Sequence, residues 1–306
     1  MGRPLRTNLN KKEIEKGALA QRPFDVYLLL ATLLLVFVGT VMVFSSSAVF
    51  ARENFGDSYF FLKKEVLFVM VGIGLMFGAK AIPYRIYWKL VYPILLFVLV
   101  ILAAVLIAGE WGGEGVRRWF KVGIFTIQPS EFAKLAVVIF VAYALAKKKE
   151  KIREFKKGFL PVLALSGVYI LLILAQKDLG GAFTLGLIVF LMLFIAGTRL
   201  SYLLGAFLAA IPPLYFLIFS VDFRRKRILA FLDPWRYQLD SGFQIIQSFV
   251  AFKSGGLTGV GLGEGKQKLF YLPEAHTDFI FSVLGEELGL VGVLAVLILF
   301  TFFIYR

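Results

Sequence analysis

Apolar residues in this chain come in long runs, not in alternation. Eight such runs stand out, at 26–44, 66–81, 90–108, 131–146, 159–175, 182–196, 200–219 and 278–305. About 20 mostly apolar residues carry a helix across a bilayer. The pattern therefore predicts an all-α polytopic membrane protein with eight transmembrane helices. A membrane β-barrel would need strands that alternate in polarity, and these runs do not alternate. Gly72, Gly74 and Gly78 in the second run suit close helix contact. Pro212 and Pro213 predict a kink in the seventh. Residues 1–25 are polar and basic and are followed by a run long enough to span, with no small-residue cleavage site. They read as a cytoplasmic tail, and 26–306 as a single transmembrane domain with a long connector at 220–276.

Composition sharpens this picture. The chain is 59% hydrophobic, with a mean hydropathy of +0.81, which excludes a soluble domain of this size. It has no cysteine, so disulfides and thiolate metal sites are excluded. Its single histidine rules out a histidine-rich metal site, while carboxylates could still hold Mg2+ or Mn2+. The net charge is +14, but the basic residues sit between the apolar runs. Orientation and anionic headgroups explain them, and nucleic acid is not implied. The block Lys147, Lys148, Lys149, Lys151, Arg153, Lys156 and Lys157 falls on the same side as the basic tail and as Lys80, Arg85 and Lys89. The positive-inside rule then places the N-terminus in the cytoplasm and the connector 220–276 outside.

The unusual polar residues gather on the outer side. The stretch 271–289 reads YLPEAHTDFIFSVLGEELG and contains the lone histidine, His276. Asp278 follows, directly before Phe279, Ile280 and Phe281. A carboxylate at the edge of hydrocarbon is costly and invites a functional explanation. The plain alternative is that Asp278 and Thr277 cap the helix starting there. Farther back, Glu114 precedes Arg117, Arg118 and Trp119, a set suited either to phosphate at the outer leaflet or to interfacial anchoring. Glu131 and Lys134 share a helix face, as a structural ion pair or as the lining of a polar cavity. Asp178 stands in a tight turn, where a capping role is open to it. Gln244 and Gln247 share a face if their segment is helical. The glycine-rich stretch 255–265 could bring backbone amides to an anion, yet it lacks the Lys-Ser/Thr ending of a nucleotide loop. Glu286 and Glu287 lie about two turns below Asp278, with at least one expected to face the bundle interior.

Several of these stretches resemble the SEDS family, the shape, elongation, division and sporulation proteins of bacteria. They are Arg117-Arg118-Trp119, Gln128-Pro129-Ser130-Glu131 with Lys134, Asp178-Leu179-Gly180, Asp233-Pro234-Trp235 with Gly242-Phe243-Gln244, and 261–289. The run 267–281 is more similar to the division branch than to the elongation branch. The chain departs from the family in two ways. Lys177 stands where the family usually has proline, and the family pattern of ten helices implies loss of the last two here. The resemblance implies a peptidoglycan glycosyltransferase that polymerises lipid II into glycan strands on the outer face of the cytoplasmic membrane, at the division septum. It implies a class B penicillin-binding protein, an FtsI-like transpeptidase, as partner, together with other divisome proteins.

On that resemblance Asp278 is the catalytic residue, a general base on the acceptor hydroxyl. Lys134, Arg117 and Arg118 are candidates to meet the pyrophosphate, with Glu131 tuning Lys134. Trp119, Asp178, His276 and Gln244 complete the candidate substrate-binding set, and a Mg2+ or Mn2+ ion on Asp278 is an added option. A lipid II transporter and a non-catalytic divisome scaffold are the rival readings. A transporter predicts an internal inverted repeat, and none is evident.

Overall fold

The computed structural model describes residues 25–112, 116–122 and 125–306. The tail 1–24 and Glu114 and Gly115 lie outside the described residues. The described residues form two compact units, one of 25–76 with 222–306 and one of 77–221.

In the first unit, α1 (Val26–Phe55) is capped by Asp25, whose carboxylate accepts from the Leu28 amide at 3.0 Å. It ends at Gly56, in the left-handed region at φ 72°. Its polar Ser45-Ser46-Ser47, expected just beyond a span, lie inside the helix and are buried. Next come α2 (Phe60–Ala81), of which 60–76 belong to this unit, α8 (Asp222–Leu232), α9 (Phe243–Gly255) and α10 (Ile280–Tyr305). α10 packs against both α1 and α9. Met42 of α1 meets Leu272, Ala275, Val283, Leu284 and Val296 in a small apolar core. At the far end of α1, Arg306 and Asp25 pair at 2.9 Å. The two helices thus run antiparallel, with 25 and 306 on one side.

The second unit holds α3 (Tyr84–Ala108), α4 (Pro129–Lys148), α5 (Leu160–Ala175), α6 (Leu179–Ile195) and α7 (Leu200–Phe219). Their core includes Val98, Leu102, Val137, Val141, Ile173 and Leu185. Tyr169 donates from its hydroxyl to the Leu95 carbonyl at 2.7 Å, tying α5 to α3. Between α3 and α4 lies a three-stranded antiparallel sheet of β1 (Glu110–Gly112), β2 (Val116–Val122) and β3 (Phe125–Ile127).

Each of the eight apolar runs falls on a helix, and among the described residues six helices are long and apolar enough to cross a membrane. α2 carries Lys63, Lys64, Glu65 and Lys80 toward its ends, and α6 has only 17 residues. Other expectations need correction. The protein is a multi-pass helical membrane protein, but the sheet means that it is not purely α-helical. Short strands between spans carry no apolar run to betray them. The connector 220–276 contains two helices, α8 and α9, and is not an open loop. A Cβ added at Gly72 or Gly74 would meet nothing within 4 Å among the described residues, so close helix contact does not explain them.

Candidate active site

Asp278 sits two residues ahead of α10, at the end of a loop from Gly256 to Phe279. The N-cap of α10 is Phe279, and among the described residues no side chain caps the helix. Asp278 therefore does not serve as the cap, and neither does Thr277, whose hydroxyl donates to Glu274 Oε2 at 2.8 Å. The Asp278 side chain is exposed and has no hydrogen-bond or ion-pair partner among the described residues. An unspent carboxylate at the mouth of an apolar helix is free to meet a substrate. The nearby His276 is half-buried, with its ring 5.1 Å from Phe50 and 5.0 Å from Phe61. Those ring contacts hold the loop against α1, through Phe50, and against α2, through Phe61. Gln244 and Gln247 lie in α9, which confirms their common face. Between α1 and α2, the Lys63 ammonium and the Tyr59 amide hold the Asp57 carboxyl below the usual carboxylate range.

The glycine-rich stretch does meet an anion, and that anion is the protein's own. Glu287 is fully buried and accepts from Gly263 N at 3.0 Å, from Ser45 Oγ at 2.8 Å and from Lys268 Nζ at 2.6 Å. Glu286, also buried, accepts from the amides of Lys266 (3.0 Å) and Gln267 (3.1 Å) and from Ser254 Oγ (3.3 Å). Lys268 further donates to the Gly263 carbonyl at 2.6 Å and to Ser45 Oγ at 3.0 Å. Every charge here is met by a charge or by several donors, as burial demands. The adjacent acids in an apolar helix signalled this cluster. Lys268 and Ser45 carried no such signal, because they come from a distant loop and a different helix. Beside the cluster runs a groove of about 500 Å³, walled by Val41, Phe44, Ala48 and Val49 of α1 and by Leu262 and Lys266 of the loop.

The second unit has its own polar constellation. Asp178 caps α6, accepting from Gly181 N at 2.9 Å, and takes a further bond from Gln128 Nε2 at 3.3 Å. Gln128 also donates to the buried Ser130 hydroxyl at 2.9 Å. Arg118, on β2, donates to the carbonyls of Gln176 and Lys177 at the C-terminal end of α5. A cation belongs there, where the helix dipole is negative. Gln176 is buried and donates to the Leu102 carbonyl at 3.2 Å, while its Oε1 has no partner among the described residues. The structure thus brings Arg118, Asp178 and the start of α4 together as a brace. Lys134 and Glu131 form the expected pair at 2.7 Å, Lys134 being the more buried of the two. Trp119 is exposed. Arg117 is opposite Trp111 in the β1–β2 register, and its side chain lies outside the described set. Among the described residues no group of three His, Cys, Asp or Glu side chains could hold a metal.

Comparison with known proteins gives a consistent picture. A family model described as cell cycle protein, covering FtsW, RodA and SpoVE, matches residues 26–306. A relative from Geobacter sulfurreducens, named probable peptidoglycan glycosyltransferase FtsW, is 48% identical over 299 residues, covering 97% of this chain and 78% of that protein. The stage V sporulation protein E of Bacillus subtilis is 43% identical over 287 residues, covering 92% and 77%. Among solved structures, a chain of a peptidoglycan synthase complex that coordinates polymerization and crosslinking matches with a TM-score of 0.73 and 30% identity, over 94% of this chain and 77% of that one. The rod shape determining protein RodA of Thermus thermophilus matches with a TM-score of 0.62 and 26% identity, over 93% and 74%.

Proposed function

The chain belongs to the cell cycle protein family of FtsW, RodA and SpoVE, and on that footing we propose that it is a peptidoglycan glycosyltransferase of the division type. Its substrate is lipid II, and its product is glycan strand made on the outer face of the cytoplasmic membrane. The single observation that carries the assignment of the base is Asp278, an exposed carboxylate that neither caps its helix nor pairs with any described residue.

In this reading Asp278 accepts the proton of the acceptor sugar 4-hydroxyl as that oxygen attacks the anomeric carbon of the donor. General-base catalysis of this kind is typically worth about 10²–10⁴ in rate. The pyrophosphate leaves as a stable anion, so one carboxylate suffices, unlike glycoside hydrolysis with its flanking pair. Lys134 is the cation assigned to the leaving pyrophosphate, with Glu131 fixing its ammonium at 2.7 Å. Arg117 is a second candidate. Arg118 is committed to the end of α5, so we assign it a bracing role. Trp119, Asp178, His276 and Gln244 remain candidates for substrate contact. The apolar wall of the α1 groove, with the exposed Lys266 beside it, suits a prenyl chain joined to a phosphate. A divalent ion such as Mg2+ or Mn2+ would find Asp278 as its protein ligand and would need substrate oxygens for the rest. Among the described residues that donor set is too sparse for a resident metal.

The same reading puts eight spans in the bilayer, adding α2 and α6 to the six longer helices, with the N-terminus cytoplasmic and 26–306 acting as one transmembrane domain. It places the protein in the inner membrane at the septum, with a class B penicillin-binding protein and other divisome proteins as partners. Support comes from the relative named FtsW and from the match to a synthase complex.

The test is lipid II polymerisation by the purified protein with its cognate transpeptidase. Asp278→Asn should lose at least about 10²-fold in turnover while the protein keeps its thermal stability. A chelator arm reports on the metal. Polymer at the wild-type rate from Asp278→Asn would remove the base assignment. No polymer from wild type would turn attention to lipid transport or scaffolding.

A further inference from the structure

Lys268 and Glu287 are 19 residues apart in sequence and 2.6 Å apart in space. Asp278 lies between them, ten residues after Lys268 and nine before Glu287. The ion pair therefore closes the base of the loop that carries Asp278. A second closure runs beside it, where the amides of Lys266 and Gln267 donate to Glu286. Ser45 hooks the closure to α1 through bonds to both Glu287 and Lys268. Toward the tip, Leu272 and Ala275 are buried in the core that contains Met42, and His276 stacks on Phe50. The loop is thus held at its base by charge and along its length by apolar contact, while Asp278 is exposed and has no partner among the described residues.

We propose that Glu286, Glu287, Lys268 and Ser45 form a buried clasp that positions Asp278 for reaction. The proposal rests on the assignment of Asp278 as the base. Burying an ion pair is a poor way to gain stability, since apolar residues of similar volume often do as well or better. Its value lies in specifying one arrangement, because any other geometry strands a charge. A base must be held near its productive geometry to act, and a misplacement of about 1 Å can cost about 10²-fold in rate. The clasp also occupies the amides of Gly263, Lys266 and Gln267. The glycine-rich stretch is therefore built around internal carboxylates, and those three amides are not offered to a substrate phosphate.

The experiment uses the full chain with its partner and reads four quantities: kcat and KM for lipid II, the thermal midpoint, and hydrogen exchange of the amides at 260–270. The variants are Glu287→Gln, the neutral double Glu287→Gln/Lys268→Met, and Ser45→Ala. Glu287→Gln should lower kcat by about 10–100-fold with KM changed less than about twofold, and should speed exchange at Gly263. The double variant leaves no charge unpaired, so it should regain the thermal midpoint but not kcat. Wild-type kcat in the double variant would overturn the clasp, as would a rise in KM alone. Should Glu287→Gln not fold, Ser45→Ala decides, since it removes one donor without stranding a charge. Faster exchange at Gly263 with reduced kcat supports the proposal, and no change in either overturns it. Exchange does not depend on turnover. Failure of wild type to polymerise would count against the glycosyltransferase reading, while unchanged exchange in Glu287→Gln or Ser45→Ala would count against the clasp.

Discussion

Lys177 adopts φ 60°, in the left-handed region that few non-glycine residues enter. Its amide donates to the Leu174 carbonyl at 2.9 Å, and its own carbonyl accepts from Arg118. A proline at this position cannot reach that φ and has no N–H to give. In this chain Arg118 closes the end of α5 by donating to the carbonyls of Gln176 and Lys177. Lys177→Pro should destabilise the protein by about 3 kcal/mol or more, read as a fall in thermal midpoint in detergent. Lys177→Gly should be neutral or stabilising by up to about 1 kcal/mol, because glycine enters this region without penalty. Equal effects of the two changes would contradict the φ argument.

Among the elements, α10 departs furthest from a simple span. It breaks at Gly289, with φ 62° and ψ −162°. A break at membrane depth is tolerated only if its backbone groups find partners within the protein. Here they do. The amides of Val260 and Gly261 donate to the carbonyls of Glu286 and Glu287, each at 3.0 Å, and the amides of Leu290 and Val291 donate to the carbonyls of Gly256 and Leu257. The broken helix and the glycine-rich loop thus complete each other, and the break helps set Glu286 and Glu287 facing that loop. A Cβ at Gly289 would run into the Gly259 amide and the Leu257 carbonyl. Gly289→Ala should therefore cost at least about 2 kcal/mol in stability. Gly205→Ala in α7, where a Cβ meets nothing within 4 Å, should be neutral or slightly stabilising. Comparison of the two thermal midpoints checks this.

For the molecule as a whole, orientation is the property most open to direct test. The chain has no native cysteine, so a single introduced thiol reports one position. Ser58→Cys and Glu264→Cys should react with a membrane-impermeant thiol reagent added to intact cells or right-side-out vesicles. Lys151→Cys, in the basic block after α4, should react only after permeabilisation. The reverse pattern would invert the assigned topology and place Asp278 on the wrong side for lipid II polymerisation.

Hydrophobic patterning alone determined that this is a helical membrane protein, because spans are written locally, as runs of apolar residues that no tertiary contact needs to confirm. Charge asymmetry gives an expected orientation for the same reason, and the thiol-labelling pattern is what tests it. Asp278 stands out as a candidate because a carboxylate beside Phe279 and Ile280 violates that local pattern. Glu286 and Glu287 were legible as anomalies but not in their role. Their partners, Lys268, Ser45 and the amides of 263–267, come from separate stretches, and nothing in local spacing announces such a meeting. The short sheet after α3 was silent for a related reason: its strands gain their stability from pairing with one another. The capping question at Asp278, open in one dimension, closed only when the backbone placed the helix start at Ile280. Residue character follows from sequence, whereas the partner of each buried charge is decided by which distant segments fold against it.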